Sequence, residues 1–246
     1  MTRPRLPQRA LAGLALAALA VPPAEAAEPR CRLALVLALD VSASIDAEEY
    51  ALLRAGTAAA LASPDVRAAI AALGGVHVAV FEWSGRAQQS VIAPWRPLDS
   101  DAAIGRLAAR IAAHPRTTSE YPTALGAALG FANALLAEGP SPCERRVIDV
   151  AGDGENNHGF GPASAYRAYD FAGVTVNGLV VSGAEGEAVA YYREQVLHGP
   201  AAFLEVAEGY EAFERAMRRK LLREIGALSV AADEPRPPEL RPPEPR

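Results

Sequence analysis

Leu33-Ala34-Leu35-Val36-Leu37-Ala38-Leu39-Asp40-Val41-Ser42-Ala43-Ser44 is the stretch on which the fold turns. Its first seven residues are apolar and uncharged. A short run of that kind reads as a strand buried on both faces, as in the middle of a parallel sheet. The chain then turns and enters a helix near Asp46, a candidate N-cap. One carboxylate and two hydroxyls therefore leave the carboxyl end of a central strand together. Open α/β sheets bind ligands at that edge. A set of oxygen ligands suits a hard cation such as Mg²⁺.

Outward from this strand the pattern alternates. Helices are expected over Ala47–Leu61, Val66–Leu73, Ser100–Ala113, Thr123–Ala137, Gly161–Ala172, Glu187–Leu197 and Tyr210–Ile225. Strands are expected over Val76–Ser84, Val147–Ala151, Val174–Val181 and Phe203–Val206. Gln89–Trp95, stopped by Pro94 and Pro97, reads as an antiparallel edge strand. The alternation predicts one α/β domain, a doubly wound and mostly parallel sheet with one antiparallel edge strand and helices on both faces. The final helix carries a basic cluster from Arg215 through Arg223.

The two ends read differently. Arg3, Arg5 and Arg9 precede an apolar stretch from Ala10 to Val21, and Ala24-Glu25-Ala26 supplies a small-x-small cleavage pattern. Residues 1–26 are expected to be a secretory signal peptide. The apolar stretch is short of the roughly 20 residues that span a bilayer. No transmembrane segment is expected in the mature chain. Residues 229–246, rich in Pro, Glu and Arg, predict a disordered tail. The domain then occupies residues 27–228. Losing three Arg and one Glu with the leader moves the formal charge from −5 to −7, which disfavours a nucleic-acid partner. With heavy Arg and Ala use, the leader places the protein in a bacterial periplasm or outside the cell.

The chain has two cysteines, Cys31 and Cys143, each just before a predicted core strand. In a doubly wound sheet those strands are neighbours, with both thiols at their amino ends. An oxidising compartment favours a Cys31–Cys143 bridge over two unpaired thiols.

Asp40-x-Ser42-x-Ser44 resembles the first loop of a von Willebrand factor A (VWA) domain, where the metal-ion-dependent adhesion site begins. Thr123-Ala124-Leu125-Gly126 resembles the second loop of that family. Arg146-Val147-Ile148-Asp149-Val150-Ala151-Gly152-Asp153-Gly154 resembles the third, although the family usually has Thr or Ser where this chain has Gly152. The first loop alone is a weak signal; three loops in order and at the right spacing are a strong one. The resemblance covers about Arg32 to Gly226. It implies a metal site of Asp40, Ser42, Ser44, Thr123 and Asp153, holding Mg²⁺ or else Mn²⁺ or Ca²⁺. It implies further that the cation binds an acidic residue of a protein partner, with Glu155, Asn156 and Asn157 on the rim. Phe81-Glu82-Trp83-Ser84, Arg146–Val150 and Arg218–Ile225 also resemble a little-characterised bacterial VWA-like family of unknown function.

Other readings compete at single positions. Asp40 alone would be an N-cap or a strand-end carboxylate in a solvated loop. Asp149, inside a strand, reads as a structural salt bridge or an outward-facing residue, because an unpaired charge there is costly. Thr117, Thr118 and Ser119 compete with Thr123, which wins on its offset from the helix. Glu155 and His158 are alternative ligands outside the family pattern, and Trp83 reads as a packing residue. His77, His114 and His198 lack metal-type spacing. No enzyme is expected: there is no Gly-x-Ser-x-Gly, no P-loop and no dinucleotide fingerprint. Two alternatives to a binding module stay open. One is a metal-dependent hydrolase such as a phosphoesterase, which lacks an evident general base. The other is a structural domain with a closed metal site.

Overall fold

The computed structural model describes residues 31–182 and 186–232. The expected signal peptide lies outside the described residues, as do residues 233–246 of the expected tail. Six strands form one sheet: β1 (Cys31–Asp40), β2 (Val76–Trp83), β3 (Gln89–Pro97), β4 (Cys143–Gly152), β5 (Val174–Val181) and β6 (Leu204–Ala207). Their spatial order is β3-β2-β1-β4-β5-β6. All neighbours run parallel except β2 and β3, so Gln89–Pro97 is the antiparallel edge strand that its prolines suggested.

β1 is central because it can be buried on both sides. Leu33, Leu35, Leu37 and Leu39 face one core, and Ala34, Val36 and Ala38 face the other. The leucine side is covered by α1 (Ala47–Ala62), α2 (Pro64–Leu73), α3 (Asp101–Ala113) and α7 (Phe213–Ala232). The alanine side admits α4 (Leu125–Ala137), α5 (Pro162–Ala168) and α6 (Glu187–Tyr191). Among the described residues no helix is long and apolar enough to cross a membrane.

Cys31 and Cys143 form a disulfide between paired positions of β1 and β4, with Cα atoms 4.6 Å apart. The bridge joins the amino ends of the two central strands. At the opposite end, β1 leads across to β2 while β4 lies on its other flank. Chain connections leave the sheet in opposite directions there, and the resulting crevice at the carboxyl edge is where doubly wound folds place ligands.

Several boundaries differ from the sequence reading for local reasons. α4 starts at Leu125 rather than Thr123, which leaves the Thr123 side chain free of helix capping. α5 stops at Ala168, because the Asp170 carboxylate accepts from the Ala172 N–H and turns the chain. The Glu187–Leu197 helix exists but widens into a π-helical turn over Tyr192–Val196. α7 begins after a 3₁₀ turn at Tyr210–Ala212 and runs to Ala232, four residues into the segment expected as tail.

Candidate functional site

Asp40 ends β1, and its Oδ1 accepts from the Ser42 N–H at 2.7 Å. This bond closes a tight turn and puts the Ser42 and Ser44 hydroxyls 3.3 Å apart. Asp46 then starts α1 with a reciprocal capping box: its carboxylate accepts from the Glu48 and Glu49 N–H groups, and Glu49 accepts from the Asp46 N–H. Such a cap is worth about 1 kcal/mol and fixes the exit of the loop.

The other two loops meet this one. Thr123 Oγ1 lies 3.2 Å from Ser42 Oγ, and Ser44 Oγ donates to Asp153 Oδ1 at 2.9 Å. All five residues singled out from the sequence are thus linked at one edge of the sheet. Asp40, Ser42 and Thr123 form a buried floor, Asp153 is half-buried and Ser44 is exposed at the mouth. Thr117 is elsewhere: its N–H and hydroxyl bond the buried Glu82 carboxylate. Glu82 also takes the Tyr50 hydroxyl, and His114 lies 3.7 Å away. His198 stacks on Tyr166.

The electrostatics are unfavourable for a protein alone. Burial, reinforced by Asp153, pushes the Asp40 carboxyl up to about 8 despite the Ser42 N–H. Burial also raises Asp153, against the pull of the Ser44 hydroxyl. Asp40 Oδ2 is buried and has no hydrogen-bond partner. A divalent cation fits this arrangement: it would satisfy the orphaned oxygen, hold both carboxylates ionised and find only hard oxygen donors. The described residues contain no group of three His, Cys, Asp or Glu side chains able to hold a metal. That does not conflict with a set in which three of five donors are hydroxyls.

The rim residues divide. Glu155 is exposed. Asn157 accepts from the Thr123 N–H at 2.8 Å, and Asn156 faces the Gly126 N–H at 3.4 Å. The two asparagine side chains therefore tie the third loop to the second. Asp149 is fully buried and ion-paired to Lys220, which selects the salt-bridge reading over the outward-facing one.

Two supporting residues were not evident from the sequence. Arg116 donates to the carbonyls of Val41, Ser42 and Ile45 at 2.8–3.0 Å, holding the first loop from behind. Its only signal was a lone cation in a segment without periodicity. Tyr192, in the π-helical turn, is fully buried with an unpartnered hydroxyl. Burial, then Asp40 and Asp153, raise its ionisation well above the ordinary tyrosine range.

Tyr192 explains the glycine at position 152. A Cβ there would come within 2.5 Å of the Tyr192 hydroxyl and 2.9 Å of Asp40 Oδ2. The Thr or Ser usual in the resembling family has no room. Gly152→Ala is therefore expected to cost about 1–3 kcal/mol, the usual price of overpacking a dense core. Adding Tyr192→Phe removes the nearest clashing atom and should recover part of that loss. Urea denaturation of the single and double variants checks it; equal stability of Gly152→Ala and wild type would refute the contact.

Comparison with known proteins agrees with this architecture. A family model described as "Protein of unknown function (DUF1194)" matches residues 30–229. No curated protein matches the chain. Among solved structures, proximal thread matrix protein 1 of the mussel byssus, in a form titled "with zinc occupied MIDAS motif", aligns at 16% identity and TM-score 0.59. The alignment covers 80% of this chain and 49% of that one, so the chain spans about half the length of this neighbour. The PilB minor pilin of Streptococcus sanguinis aligns at 13% identity and TM-score 0.62, covering 85% of this chain and 64% of the pilin. A von Willebrand factor type A protein from Catenulispora acidiphila aligns at 15% identity and TM-score 0.55, covering 80% and 43%. The fold is that of a VWA domain.

Proposed function

The chain belongs to the DUF1194 family, whose description carries no function, and from its site we propose a divalent-cation-dependent protein-binding module of the adhesion type. Asp40, Ser42, Ser44, Thr123 and Asp153 would hold the cation, with Mg²⁺ the first choice and Mn²⁺ or Ca²⁺ the others. The observation that carries the reading is the buried, unpartnered Asp40 Oδ2 in a loop cluster that also brings the Ser42, Ser44 and Thr123 hydroxyls together. Neutral hydroxyls donate little charge, so a cation held there stays electron-poor and attracts a further carboxylate. The exposed Ser44 and half-buried Asp153 leave the mouth accessible to one, which favours binding over a closed structural site. The partner would be a protein supplying an acidic residue, with Glu155 and the Asn156–Asn157 loop as the contacting rim. The disulfide supports a periplasmic or secreted location.

Calorimetry with Mg²⁺ and Mn²⁺ tests the proposal. Asp40→Asn preserves size and can still accept from the Ser42 N–H, so the loop should keep its shape. Affinity should nevertheless fall by more than about 100-fold, since even residues that only orient metal ligands cost 10–100-fold. Unchanged affinity in both Asp40→Asn and Asp153→Asn would overturn it.

A further inference from the structure

Tyr192 leaves the π-helical turn after α6 and enters the core on the alanine side of the sheet. Two glycines admit its ring. A Cβ at Gly178 would lie 2.8 Å from Tyr192 Cδ1, and one at Gly152 only 2.5 Å from the Tyr192 hydroxyl. Gly178 pairs with Val150 and Gly152 with Val180, so the two glycines sit diagonally on neighbouring strands and open one slot. The slot runs from β5 to the carboxyl end of β4, and the phenol oxygen ends beside Asp40. A π-helical turn is a rare local widening that proteins often place at functional sites.

Packing alone does not account for this arrangement. Glycine inside a strand costs about 0.5–1 kcal/mol relative to alanine. A buried hydroxyl without a partner costs about 1–3 kcal/mol more. Phenylalanine at position 192 would fill the same slot without the second cost. Tyr192 is nevertheless fully buried, and its hydroxyl has no hydrogen-bond partner.

The partner it lacks lies across a space the size of one methyl group. Asp40 Oδ2 is also buried and unpartnered. A Cβ at Gly152 would stand 2.9 Å from that oxygen and 2.5 Å from the phenol oxygen, so both border the same point. One is a donor and the other an acceptor. Asp40 Oδ1 is already committed to the Ser42 N–H. Oδ2 has two lone pairs, enough for a cation and for one hydrogen bond.

We propose that Tyr192 is a positioning residue of the cation site: its hydroxyl donates to Asp40 Oδ2, directly or through one bridging water, and holds that carboxylate in the orientation the cation needs. The inference rests on the cation-dependent reading and deepens it, adding a residue from outside all three loops. Because Tyr192 is fully buried, it acts on the affinity for the cation and not on contact with a partner protein.

The test compares wild type, Tyr192→Phe and Asp40→Asn, each stripped of metal by chelator and titrated with Mg²⁺ in a calorimeter. Tyr192→Phe should weaken Mg²⁺ binding by about 10-fold or more, the scale seen when a group that orients a metal ligand is removed. The metal-free Tyr192→Phe protein should melt no lower than wild type, since it has lost only an unsatisfied hydroxyl. Mg²⁺ should also shift a tyrosine absorption band to the red in wild type, because a phenol donating to a carboxylate absorbs at longer wavelength. That component should be absent from Tyr192→Phe. Unchanged Mg²⁺ affinity in Tyr192→Phe overturns the proposal, as does a difference spectrum identical to that of wild type. A lower affinity accompanied by a lower melting temperature of the metal-free protein also overturns it, since Tyr192 would then serve only the packing. Failure of this inference alone leaves wild type binding Mg²⁺ and Asp40→Asn not; a wild type that binds neither Mg²⁺ nor Mn²⁺ overturns the cation reading and this inference with it.

Discussion

Replacing Cys31 and Cys143 together by serine is expected to lower the free energy of unfolding by about 4–5 kcal/mol. The bridge spans a sequence separation of 112. In the chain-entropy model a cross-link of that span removes much of the freedom of the unfolded chain. Its position should allow the gain to be realised. The two residues are paired in the parallel register of β1 and β4, so the native strands already hold them together. Net stability of a single domain is commonly about 5–15 kcal/mol, so the loss would be about a quarter of the total or more. Urea denaturation of the oxidised protein, the reduced protein and the double variant measures it. The reduced and Ser/Ser forms should agree, and both should unfold with a larger denaturant slope because their unfolded chains expose more surface. A loss below about 1 kcal/mol would mean that unfolded-state structure or native strain cancels the entropic gain.

Reading the fold from the sequence succeeded where burial leaves a local mark. Leu33–Leu39 could be assigned as a central strand because every residue in it is apolar, and in the sheet each is buried. Asp46 could be assigned as a cap because the capping box is a spacing rule. The three loops were legible because Asp40, Ser42, Ser44, Thr123 and Asp153 each sit where an element ends or is about to begin, and the topology brings such ends to one edge. The disulfide followed from the same logic at the opposite edge.

What stayed hidden depends on contacts between distant segments. Tyr192 lies in a helical pattern that gives no sign of the π-helical widening that carries it. Gly152 was visible only as a departure from a family pattern; its reason is the tyrosine hydroxyl, forty residues away in sequence. Arg116 binds carbonyls, which leave no signature in side-chain patterning. Lys220 is more instructive, because its signal was present. Phe213, Ala216, Met217, Lys220, Leu221, Glu224 and Ile225 follow the three-and-four spacing of one buried helix face. Grouping Lys220 with the basic cluster from Arg215 to Arg223 concealed that this lysine, the only one in the chain, belongs to the apolar stripe.

Lys220→Met is accordingly expected to destabilise the domain by about 3–5 kcal/mol, as removal of one partner from a buried ion cluster does. Lys220 Nζ lies 2.6 Å from Asp149 Oδ1 in a contact ion pair and 2.9 Å from Glu224 Oε1. All three side chains are fully buried or within 1% of it. Glu224 also accepts from Asn177 Nδ2, and Asn177 accepts from the Phe203 N–H, so the cluster ties α7 to β4, β5 and the approach to β6. Burial alone would lower the lysine's ionisation, but Asp149 and then Glu224 reverse this and raise it. One ammonium faces two carboxylates, and the surplus negative charge appears at Asp149, pushed up to about 7 by burial and then by Glu224, against Lys220. The sign of the pH dependence follows. A folded pKa raised above the unfolded value gives stability that is fully present below about 4 and lost as pH rises through about 7. Asp149→Asn should therefore flatten the fall in melting temperature between pH 4 and 7 relative to wild type. In Lys220→Met the two carboxylates face each other without a cation, so the loss should grow with rising pH. Adding Asp149→Asn and Glu224→Gln removes both stranded charges and should restore most of the stability, because well-packed neutral side chains replace buried ion clusters at little cost. A Lys220→Met protein as stable as wild type at pH 8 would show that the cluster does not hold α7 to the sheet.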